Sequence, residues 1–133
     1  MAKIEFSSAD APLRRIGEVV NDDLRARLAE GELESQSRMH HLGVDGRLQM
    51  FEVVAPPDAR FNPHSHDEDE IILVVEGELH AGSQVVRAGE SMYVTGGTVY
   101  SFRAGSHGLR FFNFRPRMDT TFRTVAETRA AED

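Results

Sequence analysis

The stretch Pro63-His64-Ser65-His66-Asp67-Glu68-Asp69-Glu70 holds the residue types best suited to chemistry. Side chains two apart on an extended strand project from the same face. On a strand, His64 and His66 therefore project together. Glu70 follows the acidic turn Asp67-Glu68-Asp69 and opens the next apolar run. An antiparallel neighbour beginning there places the Glu70 carboxylate beside the two imidazoles. Two neutral imidazoles and a carboxylate suit Fe(II), Mn(II), Zn(II) or Ni(II). Ligands gathered on one side of the ion leave other positions to water, substrate or dioxygen. Read from the residues alone, a pair of surface histidines and a solvated acidic turn remain an open alternative.

The elements that must position these residues read as follows. In the first 34 residues, Leu13, Ile16, Val20, Leu24 and Leu28 recur at roughly helical spacing. One or two short helices are expected, with Asn21-Asp22-Asp23 capping a helix over 24–30 that stops at Gly31. From there on, short apolar runs alternate with turn signals. Strands are expected at about 35–42, 47–54, 60–66, 70–80, 84–87, 91–94, 99–103 and 109–115. The turn signals include Gly43-Val44-Asp45-Gly46, Pro56-Pro57-Asp58 and Ala104-Gly105-Ser106. Strands of this length and spacing predict an all-β domain, a small antiparallel barrel or jelly roll. The chain divides into an N-terminal, partly helical segment 1–34, a barrel 35–115 and a polar tail 116–133, expected to be a frayed end or an arm that docks on a partner.

Composition narrows the function classes. The chain has 133 residues, enough for one domain with its own core. It has no cysteine, which excludes disulfide scaffolds, thiolate metal sites and thiol nucleophiles. The net charge of −7 argues against nucleic acid or an anionic membrane as partner. The longest purely apolar run, 71–75, is too short to span a bilayer, and the first residues lack the apolar core of a signal peptide. A soluble, cytoplasmic protein is expected.

The string His64-x-His66-x3-Glu70-x6-Gly77 resembles the first motif of the cupin superfamily, with all four anchors in register. The second cupin motif is matched only at Gly89 and Gly97; Thr95 stands where Pro is usual, Tyr100 where a fourth ligand His is usual, and Ala104 where Asn is usual. Asp58 stands where the first motif opens with Gly. The resemblance covers roughly residues 35–115. It implies a small monocupin, with a conserved β-barrel of double-stranded β-helix (jelly-roll) type. It also implies one divalent metal ion per chain at His64, His66 and Glu70, with Fe(II) favoured and Mn, Ni or Zn as alternatives. A homodimer is the expected assembly.

Tyr100 has three open roles: phenolate ligand, donor inside the barrel that steers substrate or bound water, or barrel filler. Its reading as a catalytic residue is as proton donor or substrate-orienting group. His107 is expected at the far end of the barrel and His80 in a turn. One of the adjacent pair His40 and His41 must face inward, where it could complete the metal site. Parity places Arg60, Asn62, His64 and His66 on one face unless Pro63 breaks the strand, which makes Arg60 a candidate anchor for a substrate carboxylate. The function expected is a metal-dependent enzyme acting on a small organic substrate, foremost a mononuclear non-haem Fe(II) dioxygenase. The alternatives are a non-catalytic ligand-binding module, and an isomerase or lyase with His66 as base and Tyr100 as acid.

Overall fold

The computed structural model describes residues 3–132. Eight strands form one antiparallel sheet that curls into a barrel, in the order β1-β2-β3-β8-β5-β6, with β4 paired to β8 and β7 to β5. The strands are β1 (Arg14–Arg15), β2 (Gln36–Leu42), β3 (Gln49–Ala55), β4 (Arg60–His64), β5 (Glu70–Ala81), β6 (Gln84–Arg87), β7 (Ser91–Val94) and β8 (Tyr100–Arg115). Three short helices, α1 (Ile16–Val19), α2 (Asp22–Arg25) and α3 (Glu30–Glu34), precede β2, and α4 (Val125–Glu132) ends the chain. The all-β barrel with a short helical N-terminal segment is thus the observed architecture. Among the described residues, no helix is long and apolar enough to cross a membrane.

The two-residue period of the strands decides what fills the barrel. Ile72, Val74 and Leu79 of β5 and Phe102, Ala104, Leu109 and Phe111 of β8 form the core with Val53, Ala55 and Phe61. By the same parity Glu70 stands inward with Ile72 and Val74, and Asn113 inward with Phe111. Polar side chains at these positions are buried by the strand that carries them.

Four expectations need correction. The segments 99–103 and 109–115 are not separate strands but the two arms of β8, which runs through Ala104-Gly105-Ser106. β8 pairs with β5 at Ala104↔Leu79 and again at Leu109↔Gly77, so the intervening residues bulge out rather than turn back. The bulge needs glycine on both sides: Gly77 and Gly108 have φ of 75° and 88°, and a Cβ on Gly77 would lie 2.1 Å from the Gly108 carbonyl oxygen. Second, the helix capped by Asn21 is α2, which ends at Arg25, and Gly31 lies inside α3 rather than stopping a helix. Third, register shifts between Phe61 and His64 on β4, across Pro63, so Phe61 turns inward and Arg60 outward. Fourth, the tail folds back over its own barrel: Ser65 and Arg123 exchange two backbone hydrogen bonds of 2.9 Å.

Candidate functional site

Strand β4 delivers His64 to the barrel mouth, and the short extension past it delivers His66. Their ring centroids are 4.7 Å apart. Each ring is fixed through Nδ1 to a backbone carbonyl: His64 to that of Asn62 at 2.6 Å, His66 to that of Thr121. A carbonyl only accepts, so Nδ1 carries the proton in both rings and Nε2 keeps its lone pair. No hydrogen bond engages Nε2 of either ring among the described residues. Burial pushes the His64 imidazole down to about 4, and the neighbouring His66 reinforces this against the Asn62 carbonyl and Glu70. Burial, reinforced by Arg115, also lowers His66. Both rings are therefore neutral at neutral pH.

Glu70 opens β5, 2% exposed, on the inner face of the barrel. Both of its oxygens are engaged. Tyr100 donates its hydroxyl to Oε1. Asn113 Nδ2 and Arg115 Nε donate to Oε2, each at 3.0 Å. Burial would raise this carboxyl, but Arg115, Tyr100 and Asn113 outweigh it and hold Glu70 below the ordinary carboxylate range. Burial, together with the charge of Glu70 and the hydrogen bond to it, drives the Tyr100 phenol well above its usual value. Tyr100 is thus a neutral donor committed to Glu70, its ring 4.6 Å from that of His64.

His64, His66, Tyr100, Asn113 and Arg115 border a recess of about 90 Å³ at the barrel mouth, walled by Phe61, Ile72, Phe102 and Phe111, with Glu70 behind its partners. A cleft of about 670 Å³ adjoins it, lined on one side by Pro12, Val19, Val20 and Met39. Ile16, Phe51, Val53 and Arg115 line both spaces, so the recess and the cleft meet across these four side chains. Arg115 stands at that junction, 5.2 Å over the Phe51 ring, and its Nη1 donates to the Asp119 carbonyl at 3.1 Å.

The structure brings together His64, His66, Glu70 and Tyr100. It does not bring them together as one ion's ligands: among the described residues no three His, Asp or Glu side chains stand where a single ion could be shared. The two imidazoles fit a metal well, since second partners on Nδ1 are how ligating histidines are held. The carboxylate does not fit as placed, because Arg115, Asn113 and Tyr100 occupy it.

The other candidates lie elsewhere. His40 sits on the outer side of β2, its Nε2 2.9 Å from Glu52 Oε1, and His41 lines a separate surface groove. His107 lies on the exposed bulge of β8, and His80 at the far end of β5 near Glu78. Arg60 is exposed and is not among the residues of the recess.

Sequence reasoning missed Arg115, Asn113, Phe122, Thr121 and Glu32. Phe122 stacks on His64 with centroids 4.6 Å apart and planes 11° apart. Asn113 and Arg115 follow the inward parity of Phe111 and could have been found by extending it. Phe122 and Thr121 lie in a tail without periodicity and carried no such signal.

No protein-family model matches the sequence, and no curated protein matches it. Solved structures do match the fold. An RmlC-like cupin from Shewanella frigidimarina is 20% identical over 86% of this chain and 92% of its own, with a TM-score of 0.63. The polyketide cyclase RemF from Streptomyces resistomycificus is 20% identical, covers 94% of this chain and 85% of its own, and has a TM-score of 0.66. KdgF from Halomonas sp. is 22% identical over 68% of this chain and 86% of its own, with a TM-score of 0.56. Identities this low speak for architecture alone. With the antiparallel barrel and the histidine pair at its mouth, they give this chain the cupin fold.

Proposed function

We propose that this protein is an enzyme that moves a proton on a small, largely apolar molecule with an oxygen-bearing head, in the manner of an isomerase, cyclase or lyase. One observation carries the reading: two neutral imidazoles with Nδ1 tied to carbonyls and Nε2 free line one small recess. Such a ring is a base in its correct tautomer, aimed by its backbone partner. The recess admits only a few non-hydrogen atoms, and the apolar cleft beside it takes the rest of the molecule. His66, which is less buried than His64, is the base. Arg115, paired with Glu70 behind it, presents its guanidinium to the recess. That one similar barrel is a polyketide cyclase accords with this class of chemistry.

The second reading is a metal-dependent enzyme, foremost an Fe(II) dioxygenase, with the ion on His64 and His66. The locked Nδ1 atoms and free Nε2 atoms favour it. A metal bound there would supply Lewis acidity or, as iron, oxygen chemistry. Glu70 would first have to exchange Arg115 for the ion.

Proton exchange at the α-carbon of 2-tetralone in D2O, followed by NMR, separates the readings. Exchange above the buffer rate that survives EDTA and disappears in His66→Asn is the expected result. Exchange that requires added Fe(II) or Zn(II) would transfer the site to the metal reading. No exchange under either condition would leave a barrel that binds a ligand without turning it over.

A further inference from the structure

We propose that Glu32 is a catalytic residue of this recess: its carboxyl carries the proton exchanged with the oxygen of a small carbonyl compound bound there. The proposal rests on the proton-transfer reading above and supplies the acid which that reading lacks. Tyr100 cannot fill that role, since its hydroxyl is already donated to Glu70.

Glu32 sits in α3, outside the barrel, yet it lines the recess together with His64, His66, Tyr100 and Arg115. Its Oε1 is buried and has no hydrogen-bond partner. Among the described residues no arginine, lysine or histidine pairs with it, in contrast to Glu70 and Glu52, which are held by arginines. A buried carboxyl oxygen without a donor is costly to keep, and such groups cluster at functional sites.

The backbone around Glu32 fixes where it points. Gly31 packs so tightly on the β3–β4 connection that an added Cβ would lie 2.9 Å from both Ala59 Cα and Arg60 N. The fully buried Ser35 closes the helix, its Oγ donating to the Gly31 carbonyl at 2.8 Å. On the other side the Leu33 carbonyl would lie 3.1 Å from a Cβ on Gly17 of α1. α3 is therefore wedged between α1 and the barrel, and Glu32 extends from a seat with little freedom. A group that must meet a substrate atom needs such positioning.

Burial raises the Glu32 carboxyl to about 8, so it keeps its proton at neutral pH. The recess then holds this carboxyl beside two imidazoles whose Nδ1 atoms are tied to carbonyls. In the proposed step, His66 Nε2 takes a proton from the carbon next to the carbonyl. Glu32 gives its proton to the carbonyl oxygen. The C–H bond and the Glu32 O–H bond break, while an N–H bond on His66 and the enol O–H bond form, leaving an enol, an imidazolium and a carboxylate. Each of those charges alone is disfavoured by burial, but formed together they attract in a low-dielectric space. Return of the proton to the same or another carbon, with the hydroxyl proton going back to Glu32, completes exchange or isomerisation.

The test uses the full-length protein with ¹³C-labelled glutamate and 2-tetralone as probe. One carboxyl resonance is expected to remain protonated at pH 7, to move when 2-tetralone is added, and to be missing from Glu32→Gln. The wild-type titration stands whether or not the variant folds, and Glu32→Asp, which keeps the proton but withdraws it, provides a second variant. α-Proton exchange is expected to fall about 100-fold or more in Glu32→Gln, with 2-tetralone binding changed by less than about 5-fold. The proposal is overturned if every glutamate is ionised at pH 7. It is also overturned if 2-tetralone shifts the His64 and His66 ring signals but leaves Glu32 unmoved, or if Glu32→Gln exchanges as fast as wild type. Absence of exchange in the wild type overturns the proton-transfer reading itself, and Glu32's role with it.

Discussion

Glu52 and Glu70 lie on opposite sides of one barrel wall and are almost equally buried, at 3% and 2% exposure. Each is held ionised by arginine and by further hydrogen-bond partners. Glu52 takes Arg38 at 3.0 Å, Arg110 at 2.7 Å and His40 at 2.9 Å. Glu70 takes Arg115, Asn113 and the Tyr100 hydroxyl. Burial favours the neutral acid in both, and the partners override it in both. What differs is the surroundings. Glu52 joins three strands, β2, β3 and β8, and borders neither the recess nor its adjoining cleft. Glu70 has two neutral imidazoles and an unpaired carboxyl as neighbours of its partners. A buried ion pair is therefore no sign of a site in this protein; the unsatisfied and neutral groups beside one of the two pairs are.

The largest effect expected is at the structural pair. Glu52→Ala leaves Arg38 and Arg110 without their buried counter-charge, and removing one partner of such a pair costs about 3–5 kcal/mol. Chemical denaturation is expected to show that loss, while the ring signals of His64 and His66 titrate as in wild type. Glu70→Gln has a different signature. The charge of Glu70 raises both imidazoles, so its loss is expected to move their titrations further down. If Glu52→Ala moves the histidine titrations as well, the two regions are not independent and the comparison fails.

The second effect is one of pH. His64 has a folded value of about 4 against 6.5 in the unfolded chain, so between these limits the unfolded state binds the extra proton. Stability from this group is complete above 6.5 and is lost as pH falls toward 4, by about 3 kcal/mol. His66 acts in the same direction. Glu32 does the reverse: raised from 4.5 to about 8, it contributes fully below 4.5 and is lost as pH rises to 8, by about 5 kcal/mol. From pH 4.5 to 6.5 Glu32 opposes the two histidines, and the stability curve is expected to rise less steeply than the histidines alone would make it. In Glu32→Gln that curve should climb more steeply through the same window and flatten above 6.5. A level curve in the variant would mean that the recess does not hold the histidines neutral.

The pieces of this site differ in how far the sequence discloses them. The pair His64 and His66, the acidic turn and the inward start of β5 follow from spacing, because strand parity is local. The barrel was legible for the same reason: the turn signals Ala81-Gly82-Ser83, Ala88-Gly89 and Gly96-Gly97 fall between or at the ends of real strands. Ala104-Gly105-Ser106 carried an equal signal and is no turn, because β5 pairs with both arms of β8. Gly31 reads as a helix stop from its conformational entropy, yet it sits mid-helix because only a residue without Cβ can lie on Ala59 and Arg60. Glu32, Thr121 and Phe122 are brought to the site by such long-range packing and leave no periodic trace.

The smallest expected effect comes from the tail. The Phe122 ring lies parallel to His64 and edge-on to His66, at 4.6 and 5.9 Å between centroids. It is half-buried, so truncation to leucine removes part of one aromatic contact, worth about 1 kcal/mol. Its larger consequence is for hydration. Burial is the chief reason His64 is held near 4, and this ring covers one face of that imidazole. Phe122→Leu should therefore let water reach His64 and raise its titration toward 6.5, which NMR of the ring protons reads directly. Position 52 offers the control, since among the described residues Glu52 is held by Arg38, His40 and Arg110 and makes no hydrogen bond or ion pair with the tail. A variant that lost stability without moving His64 would make Phe122 an ordinary packing residue, and the tail a brace like the Glu52 cluster rather than a wall of the recess.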